Sequence, residues 1–162
     1  MKNNLLLLLK NVKLFLFDLD GVLIHNKSGN EDPVPFLKEI KKFSEEIKKY
    51  GLSFGIVSAR PEDELISELK KDTSITVISS SLEKVNEVEK LIGRLSIGFS
   101  NLFYAGDEVL DLPLLAKCGV SAAPSWAGRN VKRSVKYIIK GSDTGSLLNE
   151  ILGLIKSAHS NN

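Results

Sequence analysis

The sequence predicts an α/β fold with a doubly wound, mostly parallel sheet in a single domain without an inserted cap. Short apolar runs alternate with longer amphipathic runs along the chain, which is typical of parallel strands joined by helical crossovers. The 162 residues suffice for one hydrophobic core and are too few for two well-formed cores. Because no repeat, low-complexity segment or linker divides the chain, we expect one domain over residues 1–162.

Each element follows from its local pattern. The first strand is a continuous apolar run broken only by Lys13, and the helix after it has proline near its start and Gly51 behind its end. The predicted strands cover residues 12–17, 52–57, 75–78, 101–105, 120–123 and 135–139. The predicted helices cover residues 33–50, 62–71, 83–95, 110–117, 127–134 and 146–158. The sequence therefore alternates strand and helix from residue 12 to residue 158.

Composition argues against several classes of protein. A net charge of +2, from 22 basic and 20 acidic side chains, gives no reason to expect nucleic acid or a membrane as a partner. The apolar run at residues 5–9 is far shorter than the ~20 residues of a membrane span, and no small-residue cleavage site follows it. Cys118 is the single cysteine, so we expect a buried structural thiol and no disulfide. These features predict a cytoplasmic protein.

Polar side chains follow the predicted strands at the edge where open parallel sheets bind ligands. The first strand is followed by Asp18 and Asp20, and the fourth by Asp107, Glu108 and Asp111. The second strand is followed by Ser58, Ala59 and Arg60, and the third by a serine run and then Lys84. Because the carboxyl ends of parallel strands share one edge, we expect these groups to converge there.

This set of groups favours phosphoryl chemistry with a hard metal ion. Carboxylates that lie close together repel one another unless a cation sits between them. Oxygen ligands without histidine or cysteine indicate Mg²⁺, which typically takes one or two carboxylates together with water and phosphate oxygens. Serine hydroxyls and a lysine ammonium suit the oxygens of a phosphoryl group, and a carboxylate can serve as its acceptor.

Four motifs resemble those of the haloacid dehalogenase superfamily. Residues 17–23 read Phe-Asp-Leu-Asp-Gly-Val-Leu and resemble its first motif, DxDGVL. Ser58 closes a segment similar to the second motif, and Lys84 is similar to the third. Residues 106–111, Gly-Asp-Glu-Val-Leu-Asp, resemble the fourth. Order, spacing and strand-end placement agree in all four, and the resemblance implies a magnesium-dependent phosphatase.

The same resemblance implies a role for each site residue. Asp18 would be the nucleophile that is transiently phosphorylated, and Asp20 the general acid/base that protonates the leaving alkoxide. The Asp18 carboxylate, the Asp20 main-chain carbonyl and Asp107 would bind Mg²⁺, with Glu108 and Asp111 supporting the metal or its waters. The residues that would hold the substrate phosphate are Ser58, Ala59, Arg60 and Lys84.

From Lys84 onward, the chain resembles the capless phosphatases that act on 3-deoxy-D-manno-octulosonate 8-phosphate. The resemblance implies a sugar-acid phosphate as substrate. Because the site has no cap, either a neighbouring subunit closes it or the substrate brings its own bulk, and we therefore expect a homo-oligomer, either tetramer or dimer. Residues 26–35 are shorter than the family's hairpin, which helps to build its tetramer, and residues 141–146 replace its usual GGxGA stretch. The alternatives are a phosphatase or phosphotransferase for another small phosphorylated metabolite, or a binding module without turnover.

Simpler structural roles compete at two basic positions. Lys84 opens a helix with a solvated face, where lysines are common. Arg60 could bind substrate or merely pair with Glu62 or Glu64.

Five further positions have alternatives of the same kind. Ser58 could be a turn or capping residue, and Glu108 and Asp111 could be favourable charges in the first turn of a helix. His25 is interpreted as a surface-loop residue in preference to a second acid/base. Trp126 is interpreted as a packing or interface aromatic, with a ligand-stacking role as the alternative.

Overall fold

The computed structural model describes residues 2–25 and 32–160, and its centre is a six-stranded parallel sheet. In chain order, the strands are β1 (Leu14–Phe17), β2 (Ser53–Val57), β3 (Ile75–Ile78), β4 (Leu102–Ala105), β5 (Val120–Pro124) and β6 (Tyr137–Ile139). They lie in the order β3-β2-β1-β4-β5-β6, and every neighbouring pair is parallel. The predicted fold class, a doubly wound parallel α/β sheet, is confirmed.

Helices cover both faces of this sheet. They are α1 (Lys2–Lys10), α2 (Pro33–Lys48), α3 (Glu64–Lys71), α4 (Lys84–Leu95), α5 (Leu112–Lys117), α6 (Arg129–Ser134) and α7 (Thr144–His159). Buried residues of α1, α2, α3 and α7 share one hydrophobic cluster with one face of the sheet, and those of α4, α5 and α6 share the other. Among the described residues, no further helix or strand forms a cap over the sheet edge.

The apolar run near the start of the chain forms a helix that the sequence analysis did not predict. Leu9 is buried, Leu5, Leu6 and Leu8 pack against the core, and Leu7 is exposed. Helix α1 contacts α7, so both ends of the chain cover the same face of the sheet. No helix in the described part of the chain has both the length and the apolarity that crossing a membrane requires.

Element boundaries differ from the predicted ones by a few residues, and capping explains several of the helix starts. The side chain of Asp63 accepts the Ile66 N–H, so α3 begins at Glu64 and not at residue 62. Asp143 caps α7 in the same way through Ser146, so this helix begins at Thr144, two residues before the predicted start. The predicted fourth helix is divided into a 3₁₀ turn, Val109–Asp111, and helix α5.

The strand order places a topological switch point between β1 and β4. From β1 the chain moves outward through β2 and β3, then returns to β4 on the other side of β1. Phe17, the last residue of β1, pairs with Ile56 and Ala105 and packs its ring against Phe54 and Phe103. A crevice at such a switch point is where open α/β sheets bind ligands, and a rigid aromatic core lies directly beneath it.

Candidate active site

Asp18 leaves the carboxyl end of β1 into this crevice. Its N–H donates to the Ala105 carbonyl at 2.9 Å, which continues the pairing of β1 with β4 by one residue. Only 7 % of the residue is exposed, and Oδ1 accepts the Leu19 N–H at 2.8 Å. The Asp18 carboxylate is therefore held in one orientation at the bottom of the crevice.

Lys84, the first residue of α4, places its ammonium beside Asp18. Nζ lies 3.1 Å from Asp18 Oδ1 and 2.7 Å from Asp111 Oδ1, and it is 3.2 Å from Tyr104 Oη. Only 5 % of Lys84 is exposed. The alternative of a lysine on a solvated helix face is wrong, because this ammonium is buried among oxygen atoms from β1, β4 and the loop after β4.

Asp111 organises this cluster from a fully buried position. Its Oδ1 accepts from Lys84 and from Tyr104 Oη, the latter at 2.6 Å. Its Oδ2 accepts the N–H groups of Asp107 and Glu108 at 3.0 and 3.1 Å. Both of its carboxylate oxygens accept hydrogen bonds from protein donors. Asp111 therefore positions Lys84 and the loop and is more than a favourable charge at a helix start.

Asp107 is the second carboxylate that faces Asp18. One oxygen each from Asp18, Asp107 and Asp111 lie within 4.8 Å of one another. Asp107 Oδ1 is buried and has no hydrogen-bond partner among the described residues, whereas both oxygens of Asp111 accept from protein donors. Asp18 and Asp107 are therefore the pair that fits a shared cation. Glu108 is exposed and does not belong to this cluster of carboxylates.

The electrostatics of the crevice favour an added positive charge. Burial raises the pKa of Asp18 to about 7, against the opposing attraction of Lys84 and with help from the charge of Asp111. Burial and the neighbouring Asp111 and Glu108 raise the pKa of Asp107 to about 6. Two acids whose charged forms are penalised by desolvation and by each other fit a hard divalent cation such as Mg²⁺.

The Lys84 ammonium stays charged in this setting. Burial by itself lowers the pKa of Lys84, but the attraction of Asp18 and Asp111 outweighs it, so the pKa lies above its ordinary value. Burial and the Asp111 charge also raise the pKa of Tyr104, which keeps its hydroxyl a donor. The crevice thus contains a permanent cation whose neighbours are anionic or neutral.

Asp20 lies at the mouth of the crevice and pairs with Arg60. Its side chain is about half exposed, and its Oδ1 lies 3.2 Å from Arg60 Nη1. The Arg60 Nε donates to Asp63 Oδ2 at 2.6 Å. The expected structural alternative for Arg60, a pair with Glu62 or Glu64, is wrong: the guanidinium bridges Asp20 and Asp63, while Glu62 pairs with Lys70.

Ser58 and the loop after β3 form one side of the crevice. The buried Ser58 hydroxyl accepts the Arg60 N–H at 3.0 Å, which leaves its own hydrogen available for an anion. Ala59, between them, is half-buried. Ser80, at φ 55°, donates to the Arg60 carbonyl, and the Ser81 N–H donates to the Ser58 carbonyl at 3.0 Å. The two loops are therefore hydrogen bonded to each other.

The structure adds three residues to those that the sequence analysis assigned. Tyr104 anchors Asp111 from within β4, and the buried hydroxyl of Ser81 has no partner among the described residues. Trp126 donates from its indole nitrogen to the Gly21 carbonyl at 2.8 Å. The serine run before Lys84 was a signal for Ser81, but neither Tyr104 nor Trp126 belongs to a motif. Residues 26–31, which make up most of the segment expected to be shorter than the family's hairpin, lie outside the described residues.

The chain matches the sequence profile of a known protein family. The sequence profile of a family described as haloacid dehalogenase-like hydrolase matches residues 63–151, more than half of the chain. That match includes Lys84 and Asp107, while Asp18 and Ser58 lie before it. The assignment of the first two motifs therefore depends on the motif resemblance and on the geometry of the crevice.

Several solved structures share the fold. One is 3-deoxy-D-manno-octulosonate 8-phosphate phosphatase from Moraxella catarrhalis, in complex with a magnesium ion, a phosphate ion and the sugar acid. It has a TM-score of 0.81 and 23 % identity over 98 % of this chain and 94 % of that one. The cobalt-bound phosphatase from Haemophilus influenzae has a TM-score of 0.81 and 22 % identity over 94 % and 92 %. The Yersinia pestis phosphatase has a TM-score of 0.81 and 18 % identity over 98 % and 88 %.

Proposed function

Because the chain belongs to the haloacid dehalogenase-like hydrolase family, we propose that it is a magnesium-dependent phosphatase that acts through a phosphorylated Asp18. One observation carries the proposal: the buried Asp18 carboxylate is 3.1 Å from the Lys84 ammonium and close to Asp107, whose buried Oδ1 has no partner among the described residues. The whole chain, residues 1–162, would act as one hydrolase domain. The cationic groups of such a site offset the negative charge of the substrate, so an anionic carboxylate can attack it.

The reaction proceeds in two displacement steps. In the first, an Asp18 carboxylate oxygen forms a bond to phosphorus, the bond from phosphorus to the ester oxygen breaks, and Asp20 protonates that leaving oxygen. In the second, Asp20 takes a proton from a water molecule whose oxygen attacks phosphorus. The bond to Asp18 then breaks, which releases inorganic phosphate and restores the carboxylate.

Asp18, Asp107 and the main-chain carbonyl of Asp20 are the residues that would hold the magnesium ion. When bound, the ion supplies Lewis-acid stabilisation of charge on the phosphoryl oxygens and reduces repulsion between Asp18 and the substrate. Lys84 and the Ser58 hydroxyl donate to phosphoryl oxygens, and Arg60 orients Asp20. Glu108, which is exposed, would accept hydrogen bonds from water molecules bound to the ion.

The substrate that we propose is a sugar-acid phosphate such as 3-deoxy-D-manno-octulosonate 8-phosphate, hydrolysed in the cytoplasm. Support comes from the motif resemblance from Lys84 onward and from the substrate named for the Moraxella catarrhalis protein. The free side of the crevice is open, and three apolar side chains beside it, Leu82, Val109 and Leu110, are more than half exposed. We propose that a second copy covers them in a homo-oligomer, which light scattering in solution would detect.

The first test compares two isosteric substitutions on p-nitrophenyl phosphate. Asp18→Asn removes the nucleophile and should lower kcat to the background rate, while the variant stays folded because asparagine has the same shape. Asp72→Asn makes the same chemical change in a turn at the opposite edge of the sheet, where Asp72 accepts from Ser74, and should leave the rate unchanged. Near wild-type turnover by Asp18→Asn would overturn the mechanism.

The second test separates the substrate class from the chemistry. A panel of sugar-acid phosphates, sugar phosphates and nucleotides is assayed with Mg²⁺ for release of inorganic phosphate. We expect the highest kcat/KM for an eight-carbon sugar-acid phosphate. A preference for another group of compounds would reject the substrate and keep the phosphatase. Transfer of the phosphoryl group to a second metabolite, without release of phosphate, would identify a phosphotransferase.

A further inference from the structure

The turn that follows Asp18 depends on Gly21. This residue has a φ of 91°, which glycine adopts without the steric cost that other residues carry. Its N–H donates to the Ile24 carbonyl at 2.8 Å, and the Ile24 N–H donates back to the Leu19 carbonyl at 2.9 Å. The peptide group on the amino side of Gly21 is therefore held by the turn itself.

The peptide group on the carboxyl side of Gly21 is held from elsewhere in the chain. Trp126, two residues after β5, donates its indole N–H to the Gly21 carbonyl at 2.8 Å across a separation of 105 residues. The indole is partly buried against the core, and the His25 ring stacks on it with centroids 4.0 Å apart. Both peptide planes that flank Gly21 thus have a fixed direction.

Gly21 matters because it lies directly against Asp107. A Cβ built on Gly21 would be 2.0 Å from Asp107 Oδ2, so the carboxylate fills the space that a side chain would take. The Asp20 carbonyl and the Gly21 N–H belong to one planar peptide and point in opposite directions. A rotation about the N–Cα bond of Gly21 would turn the Asp20 carbonyl relative to the Gly21 carbonyl, and a shift of Gly21 itself would press on the Asp107 carboxylate.

We propose that Trp126 is a positioning residue of the metal site, acting through its hydrogen bond to Gly21. The indole N–H fixes the Gly21 carbonyl, so it would hold Gly21 in place against the Asp107 carboxylate and limit movement of the adjoining Asp20 carbonyl. This inference rests on the proposed function, because it assigns Trp126 to the site that would hold Mg²⁺. It assigns the effect to one N–H group, whereas a packing role would depend on the whole ring.

The contributions of the N–H group and of the aromatic ring of Trp126 can be tested with separate substitutions. Trp126→Phe keeps an aromatic ring that can stack on His25 but removes the donor. Because Trp126 is the only tryptophan, a tryptophan auxotroph can replace it alone with benzothienylalanine, in which sulfur replaces the N–H and the shape is kept. His25→Ala makes the opposite change, since it removes the stacking partner and keeps the donor.

The readout is Mg²⁺ binding to the purified chain without substrate, measured by calorimetry, together with kcat and KM. Loss of the donor, by either route, should raise the Kd for Mg²⁺ about tenfold and lower kcat, with KM for substrate little changed. His25→Ala should stay within about twofold of wild type in Kd. Tyr137→Phe, which removes a hydrogen bond to Glu150 at the far edge, should lower Tm without changing the Kd.

Each outcome supports or rejects a specific statement. A Kd within about twofold of wild type in the benzothienylalanine protein would overturn the role of Trp126, even if Trp126→Phe fails to fold. Equal losses in that protein and in His25→Ala would assign the effect to the ring and also overturn it. A wild-type chain that turns over substrate without binding Mg²⁺ would instead overturn the proposed metal site, and the inference with it.

Discussion

Lys84 has a charged ammonium group that is buried in the protein. A buried ammonium is stable only when charged and polar partners replace its lost hydration, and here Asp18, Asp111 and Tyr104 do so. The dependence is mutual, because Asp111 is fully buried and Lys84 is its cationic partner. One side chain therefore supports both the chemistry and the fold, which a lysine on a solvated face does not do.

Substitution of this lysine should affect activity and stability together. In Lys84→Ala we expect kcat/KM to fall by at least ~10²-fold, comparable with the loss of one preorganised donor. Because Asp111 is left buried without its cation, the variant should also melt roughly 10 °C lower. Lys90→Ala is the control: it lies on the same helix, 67 % of its side chain is exposed, and its pair with Glu87 is at the surface. Near-normal kinetics in Lys84→Ala would remove this residue from the site.

At the scale of single elements, the loop between β4 and α5 is built around the Asp111 carboxylate. Its two oxygens receive donors from the loop, from β4 and from α4, so one side chain joins three segments. The loop can approach Asp111 only because Gly106 has no side chain. A Cβ at Gly106 would lie 2.5 Å from Asp111 Cβ and 2.6 Å from its Cγ.

A methyl group at residue 106 should therefore displace Asp111 and so disturb the active site. Gly106→Ala must displace Asp111, and we expect a loss of about 1–3 kcal/mol in the free energy of unfolding together with lower kcat. Gly93→Ala is the matched control, because nothing lies within 4 Å of a Cβ there and the residue is inside α4. That control should gain about 0.5–1 kcal/mol by helix propensity. Chemical denaturation measures both, and equal stabilities would contradict the packing argument.

At the scale of the whole molecule, the switch point between β1 and β4 concentrates negative charge at one edge of the sheet. The pKa of Asp18 is raised from an ordinary 3.8 to about 7 and that of Asp107 to about 6. Between the ordinary and the raised values, the folded state binds more protons than the unfolded state. In the metal-free protein, the contribution of these groups to stability is therefore lost progressively as pH rises through that range.

Magnesium should stabilise the protein in a manner that depends on pH. The ion has to displace the extra protons, so the difference in Tm between Mg²⁺ and EDTA should increase from about pH 5 to about pH 8. With Mg²⁺ about 100-fold above its Kd, the stabilisation is about 2.7 kcal/mol, or roughly 5–10 °C. Differential scanning fluorimetry measures this, with Asp107→Asn as the control that should lose the difference. A difference in Tm between Mg²⁺ and EDTA that is the same at both pH values would contradict the prediction.

Much of the fold and part of the site follow from local pattern. The apolar runs before Asp18 and Asp107 predict strands, and the rule that parallel strands share a carboxyl edge predicts that these two residues meet. Lys84 is placed at the same edge by its position after the third strand, but its burial was not predictable. The sequence pattern of a lysine at a helix start is the same whether its ammonium is exposed to solvent or buried beside two carboxylates. The leucine run of α1 was also not predicted, because nine residues with apolar side chains on several sides show no single helical face.

The alternation of strands and helices and the chemical groups at the strand ends follow from the sequence, because they depend on residues close together in the chain, and the order of the four motifs indicates the family. The tertiary structure alone decided that Asp111 is enclosed by protein donors, that Arg60 bridges Asp20 and Asp63, and that Trp126 reaches Gly21. These contacts join residues on different elements, and the direction of each side chain depends on how the helices and loops pack around the sheet. Hydrogen bonds require distance and angle together, and no local pattern specifies either across 105 residues.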